Sequence, residues 1–458
     1  MSITTSPTTS TDEHGNHTTG AAEAIESYDA AIDRLVRYHV DVVDLTTNLA
    51  ASHPTFAMGQ ALAAYLHLMS TDVRDLDTAR HHAAALRATP RNDRETAHTA
   101  AIDAWVGGEW HRAAQCLDDL LIEWPADILA LMVGHQLDFF VGDAHNLRDR
   151  IGRSITAFDP QHPHHGFVRG MQAFGLEENG HYGLAEQAAL DAVTRNPDDV
   201  WGLHAGAHAY EMQGHIEDGI AFMTERVDNW GSGNLFAVHN WWHLALYHLE
   251  NGQLDQALEI YDREIHHATS DGVPIEMLDA TSLLWRLRLD GVDVTHRFEV
   301  IAEAWAHAIN SSPSWYVFND VHAVMAFLGA GRRADALAVI ERLGAVSDRT
   351  TTTSPPTSNA RMTAEVGLPL SNALLAFDDG DHATTVAQLW PTRRVFHHFG
   401  GSHAQRDVFE RTLLEAAVRS NRSSLAQRLV AERLALRPTG RFTLERKVRL
   451  TARRSKQE

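Results

Sequence analysis

The sequence predicts an all-α protein in which helix pairs repeat along the chain as a superhelix, an α-solenoid. Three observations predict it: a glycine phrase recurs at near-constant spacing, apolar residues recur three and four apart throughout, and few segments alternate with the period of two that a strand requires. The phrase is a glycine and a small polar or aromatic pair, followed in most copies by a small residue five positions on. It reads "GEWHRA" at Gly108, "GDAHNL" at Gly142, "GHYGLA" at Gly180, "GHIEDG" at Gly214, "GQLDQA" at Gly252, "GRRADA" at Gly331 and "GDHATT" at Gly380. Steps between the first five are 34, 38, 34 and 38 residues, and Gly291 in "DGVDVTH" follows after 39.

Two copies carry more of the pattern: Ala113 is followed by Pro125, and Ala185 by Ala192 and Pro197. The glycine ends a first helix and permits a tight turn, the small residue lets a second helix pack closely, and the proline stops that helix. The phrase and its offsets resemble a tetratricopeptide-type solenoid, with helix A before each glycine and helix B after it.

The elements follow in order. Residues 1–22 read as a disordered tail, polar and rich in Ser and Thr. Residues 23–107 carry N-terminal helices such as "AIESYDAAIDRLVRYHVD", and 108–348 hold the tetratricopeptide-like repeats. A loop over 349–360, "RTTTTSPPTSN" at its centre, lacks periodicity and separates the C-terminal repeats of 361–438. The basic segment 439–458 reads as a solvated tail.

With 39 basic against 60 acidic residues the formal charge is −21, which opposes a general polyphosphate-binding surface, so no nucleic acid is expected as a partner. One cysteine, Cys116, excludes an intrachain disulfide framework and reads as part of a helix packing face. No secretory signal and no bilayer-length apolar run occur, and a soluble cytoplasmic protein without membrane association is expected. Phosphate-loop, dinucleotide and nucleophile-elbow patterns are missing, so no nucleotide cofactor is expected.

The unusual count is 30 histidines. Counting back from the turn glycines puts residues of different A helices on one angular scale at about 100° per residue. His204, His208 and Glu211 lie ten, six and three before Gly214, while His239 and His243 lie thirteen and nine before Gly252. With the ten-before position as zero, the five project at roughly 0°, 40°, −20°, 60° and 100°, so they form one stripe on two adjacent helices. Helix A lines the concave face in tetratricopeptide arrays, and that likeness turns the stripe towards a groove. Two i, i+4 histidine pairs there suit a divalent transition metal (zinc, iron or manganese) held by His204, His208, His239 and His243. The same rings could equally serve a metal-free ligand pocket. Trp242 reads as core or groove wall. "HPHH", His162 to His165, reads as a loop cluster with affinity for column nickel and is set aside.

Several phrases together resemble the tetratricopeptide repeat protein 38 family, over about Ile128 to Pro438: "GMQAFGLEENG", "WGLHAGAHAYEMQG", "HNWWHLALYHLENG", "FNDVHAVMAFLGAG", "GLPLSNAL" and "GGSHAQRDVFERTLL". The resemblance implies an all-helical intracellular repeat protein and supplies no reaction. It adds His135, Asn319, Asp320, His322, His403, Arg406 and Asp407 as residues that could face the groove. Each has a structural alternative: His135 falls where a repeat buries its side chain, Asn319 and Asp320 could cap a helix, and Ser402 with Gln405 forms a capping box rather than a nucleophile.

Two functions compete. In the first, the histidines hold a metal, Glu211 or Asp320 acts as general base, and Arg406 grips a small anionic substrate in a hydrolase, lyase or oxygenase reaction. In the second, the array is a scaffold that binds a peptide or partner protein without catalysis. The stripe carries His, Glu and Trp rather than the Lys or Arg that clamp acidic termini, which favours a compact polar site. The sequence leaves oligomeric state open.

Overall fold

The computed structural model describes residues 9–267, 270–309, 314–352 and 356–454. They fall into two compact units, 1–205 with 228–237 and 206–227 with 238–458. The chain is an all-α helical repeat, and the turn glycines set its rhythm. Gly108, Gly142, Gly180, Gly214, Gly252, Gly291, Gly331 and Gly380 all adopt φ between +70° and +87°, a region where a Cβ meets the following carbonyl and only glycine is at ease.

The first unit opens with a hairpin, β1 (Thr9–Thr11) and β2 (His17–Thr19). The helices of this unit are α1 (Ala22–Val36), α2 (Val42–Ser52), α3 (Ala57–Met69), α4 (Leu76–Ala88), α5 (Asp93–Val106), α6 (Trp110–Glu123), α7 (Ile128–Val141), α8 (Ala144–Ser154), α9 (His165–Glu177) and α10 (Tyr182–Arg195). A further helix, α11 (Val200–Gln213), is continuous through residue 205, where the first unit passes into the second. Helices of this unit approach closely where glycine permits: a Cβ on Gly170 of α9 would stand 2.9 Å from the Gly202 Cα and 2.6 Å from Asp199 Oδ2. That explains a glycine at the head of "GMQAFG" in packing terms.

The second unit continues with α12 (Ile216–Thr224) and, after the short α13 (Val227–Trp230), α14 (Ala237–Glu250) and α15 (Leu254–Ile260), which widens into a π-helical turn at Tyr261–Ile265. Then come α16 (Pro274–Leu289), α17 (Thr295–Ile309), α18 (Val317–Gly329), α19 (Arg333–Thr352), α20 (Ser358–Met362), α21 (Leu368–Asp378), α22 (His382–Thr392), α23 (His403–Arg419), α24 (Ser423–Leu436) and α25 (Arg441–Arg454). The capping box at α23 is present, with Ser402 Oγ accepting from the Gln405 N–H and Gln405 Oε1 from the Ser402 N–H. Tryptophans 242, 285 and 305 are fully buried here.

Three sequence expectations are corrected. Of the tail assigned to 1–22, residues 1–8 lie outside the described residues, and residues 9–19 form a hairpin that buried polar groups hold. Arg94 reaches Asp12 at 3.2 Å and Thr18 Oγ1 at 3.1 Å, while its Nε donates to Asp127, the N-cap of α7, at 2.6 Å. The Thr19 N–H donates to Glu95, which also closes the capping box of α5. The loop assigned to 349–360 is shorter: α19 runs to Thr352 and α20 starts at Ser358, with 353–355 outside the described residues.

The basic segment 439–458 is a packed helix over Arg441–Arg454, with Phe442 and Arg446 buried. Helix ends explain it. The last carbonyls of a helix lack internal partners and carry partial negative charge. Arg446 donates to the Leu289 carbonyl at the end of α16 and to Glu415 and Asp290, and Arg441 donates to the Leu249 carbonyl near the end of α14. Among the described residues, no helix is long and apolar enough to cross a membrane.

Candidate metal centre

Within the second unit, α11 and α14 bring His208, His239 and His243 together, each offering a ring nitrogen within 4.8 Å of the others. All three are buried. The local cause is helical spacing: His239 and His243 stand one turn apart on α14, so their rings share a face, and their Nε2 atoms are 3.2 Å apart. The His208 ring lies edge-on to His243, 4.4 Å between centroids.

One carboxylate orients the set. Asp279 of α16, fully buried, accepts from His239 Nδ1 at 2.7 Å, which fixes the proton on Nδ1 and turns Nε2 towards His243. Glu211 of α11 stands on the other side, its Oε2 3.8 Å from His243 Nδ1 and its Oε1 3.2 Å from Arg437. Trp242 is fully buried, stacks on His239 and donates its indole N–H to Ser282 Oγ at 3.0 Å, making it a wall of the centre. Arg286 lies against the Trp242 ring, 5.5 Å from its centroid, and donates to the Ser282 and Ala404 carbonyls.

Burial sets the protonation states. It drives the His243 pKa well below the usual histidine value, with His239 and Arg286 adding to the effect. Burial also raises Glu211, against the opposing pull of Arg437. The Arg286 guanidinium is pushed down to about 9 by burial and by neighbouring Arg411. A neutral imidazole is the form that ligates a metal, so the electrostatics keep His243 ready for that role.

His204 precedes His208 by one turn on α11, and its ring is packed among Phe174, Trp201 and Phe236. His135 of α7 is buried edge-on to Phe174 and Trp201, and its pKa is lowered to about 3 by burial and by Arg150. That is a packing residue of the first unit. Asp320, offered as a general base, is instead committed to structure, accepting from Ser314 Oγ at 2.6 Å and Arg342 at 3.5 Å. Neither it nor buried Asn319 caps α18, whose N-cap position is Tyr316.

His322 donates Nδ1–H to the Phe318 carbonyl one turn back and packs against Phe318 and Phe409, its pKa lowered to about 4 by burial. His403 is the first residue of α23. Arg406 turns back and donates from Nη1 to the Gly401 carbonyl. Asp407 is the hub of an arginine cluster, 2.6 Å from Arg411, 2.8 Å from Arg433 and 3.6 Å from Arg437, and these cations hold its pKa well below the usual range.

Asp279 and Arg286 escaped the sequence reading for a geometric reason. Asp279 lies twelve before Gly291, roughly 160° from the zero of the angular scale, off the stripe. It faces back to the preceding A helix, and only the packing of α16 on α14 shows it.

No family model matches the chain. Solved structures with similar traces include a human IFIT1 dimer with PPP-AAAA, 13% identical over 97% of this chain and 95% of that one, with a TM-score of 0.43. Another is the APC/C hetero-tetramer Cut9–Hcn1, 11% identical over 93% and 90%, with a TM-score of 0.36. Similarity at this level carries no argument about ligand or activity.

Proposed function

We propose that the chain is a tetratricopeptide-like binding protein, akin to the tetratricopeptide repeat protein 38 family, whose second unit holds a transition metal ion through His208, His239 and His243. The supporting observation is the pair of Nε2 atoms 3.2 Å apart with Asp279 bound to the far nitrogen of His239. Nitrogens around a tetrahedral zinc at 2.0–2.1 Å stand about 3.3 Å apart, and metal-bound histidines commonly carry a carboxylate on the other ring nitrogen. Zinc or iron suits this imidazole-rich set best, with manganese next. The bound ion would supply a Lewis acid for a small anion, and Arg286 is the cation beside it. Burial of the histidines favours an ion or a small molecule over a peptide at this place.

A metal-dependent enzyme is the second reading, favoured by Glu211 beside His243, where a carboxylate raised by burial can exchange a proton. A metal-free scaffold is the third: the same contacts then form a hydrogen-bonded chain from Asp279 through His239 and His243 towards Glu211. Elemental analysis of tag-free protein separates them. One equivalent of metal lost in His239→Ala, with helicity unchanged by circular dichroism, supports the centre. A wild-type chain still metal-free after reconstitution removes both the centre and the enzyme and leaves a peptide- or protein-binding scaffold. Metal bound without turnover of any small anionic substrate leaves the binding protein.

A further inference from the structure

The first unit contains a second histidine cluster that the repeat pattern does not produce. His14 lies between the strands of the N-terminal hairpin, and His162 and His164 lie in the segment "HPHH" that leads into α9. One nitrogen from each stands within 4.8 Å of the others. We infer that His14, His162 and His164 form a divalent-metal site, of the zinc class, that fastens the N-terminal hairpin to the first unit.

The geometry repeats the logic of the other centre on different supports. His14 Nε2 is 2.9 Å from His164 Nδ1, a bond spanning 150 residues of sequence. The opposite nitrogen of His164, Nε2, lies 3.3 Å from Asp33 Oδ1 of α1, so a carboxylate orients this ring as Asp279 orients His239. The His14 and His164 side chains are each only 2% exposed, which leaves two imidazoles facing one another away from water. His162 is partly exposed and its Nδ1 accepts the His164 backbone N–H at 3.1 Å; on binding, this ring turns to present a nitrogen to the ion.

Glu13 supplies negative charge close by, its Oε1 4.0 Å from His14 Nδ1 and 3.9 Å from His164 Nε2. Both are the nitrogens opposite the pair that face each other, so this charge lies behind the two rings. Burial and the two neighbouring imidazoles also lower the His14 pKa to about 3, so the ring is neutral and competent to ligate at neutral pH. A purely structural packing of three rings requires no such convergence of nitrogens with a carboxylate behind one of them.

The test is amide hydrogen exchange on tag-free, full-length protein, with and without zinc chloride, read over residues 9–21 and 158–165. An ion that binds only the closed hairpin slows its opening by a factor of about 1 + [Zn]/Kd, so roughly 100-fold slower exchange is expected at zinc a hundredfold above Kd. In His14→Ala and in His162→Ala, the more exposed ligand and the safer substitution for folding, zinc should leave hairpin exchange unchanged. The metal bound by the second unit should persist in both. Protection by zinc that survives in both variants, or no protection in the wild type at saturating zinc, overturns the site. Because the readout is local to the hairpin, it stands or falls independently of the centre proposed for the second unit.

Discussion

The two histidine clusters are built on different supports. His208, His239 and His243 project from A helices of the repeat, whose backbone hydrogen bonds and packed tryptophans hold them without a ligand. His14, His162 and His164 stand on a hairpin turn and a helix approach, where the chain is held mainly by a few buried polar bonds such as Arg94 to Asp12 and Thr18. Helices pre-position ligands, whereas a loop cluster must be closed by what binds it. A metal at the first would serve a ligand; a metal at the second would serve the fold.

The sharpest way to break this comparison is to delete each set in turn. Changing His208 and His239 together to Ala should remove the metal of the second unit outright, measured by elemental analysis, while zinc still slows exchange of the hairpin. Loss of hairpin protection in that variant would mean that the two clusters are not separate sites.

Acid should strain both regions. His14 and His135 in the first unit and His322 in the second are buried neutral, with pKa values of about 3, 3 and 4. The unfolded chain, titrating near 6.5, binds more protons between those values and 6.5, so stability is full above pH 6.5 and is lost as pH falls towards 4. For His322 alone the loss approaches about 3 kcal/mol. Chemical denaturation at pH 7 and pH 4.5 should show it, and His322→Gln should flatten that slope. An unchanged slope would mean the ring is not held neutral.

The orienting carboxylates offer a finer contrast. Asp279→Asn should weaken metal binding by the second unit about 10–100-fold, as loss of a partner behind a ligand does elsewhere. Asp33→Asn should have a smaller effect on zinc protection of the hairpin, because Asp33 is partly solvated and shared with Arg37. Competition against a chromophoric chelator measures the first and exchange the second. The smallest effect concerns the frame: Gly291→Ala, in open space but at φ +87°, should cost about 1–2 kcal/mol for the left-handed backbone and leave metal binding as it was.

Much of this molecule was legible without coordinates. The turn glycines were found by spacing alone, because a helix pair joined by a tight turn needs one residue with φ > 0 per repeat and only glycine takes it freely. Counting from them placed His208, His239 and His243 together, since helical geometry converts sequence distance into angle. Composition misled where it was read as solvation: the polar N-terminus and the basic C-terminus both pack, through Arg94 and Arg446, because paired ionic groups can be buried and helix ends attract cations.

What the sequence by itself determined is the all-α repeat, its turn positions and the histidine stripe, all of them consequences of local periodicity. Tertiary structure alone decided which nitrogens meet. Asp279 behind His239, Arg286 against Trp242 and His14 against His164 join residues 40, 44 and 150 positions apart. Such meetings depend on how one helix packs on the next and where a hairpin comes to rest, and no local pattern encodes that distance.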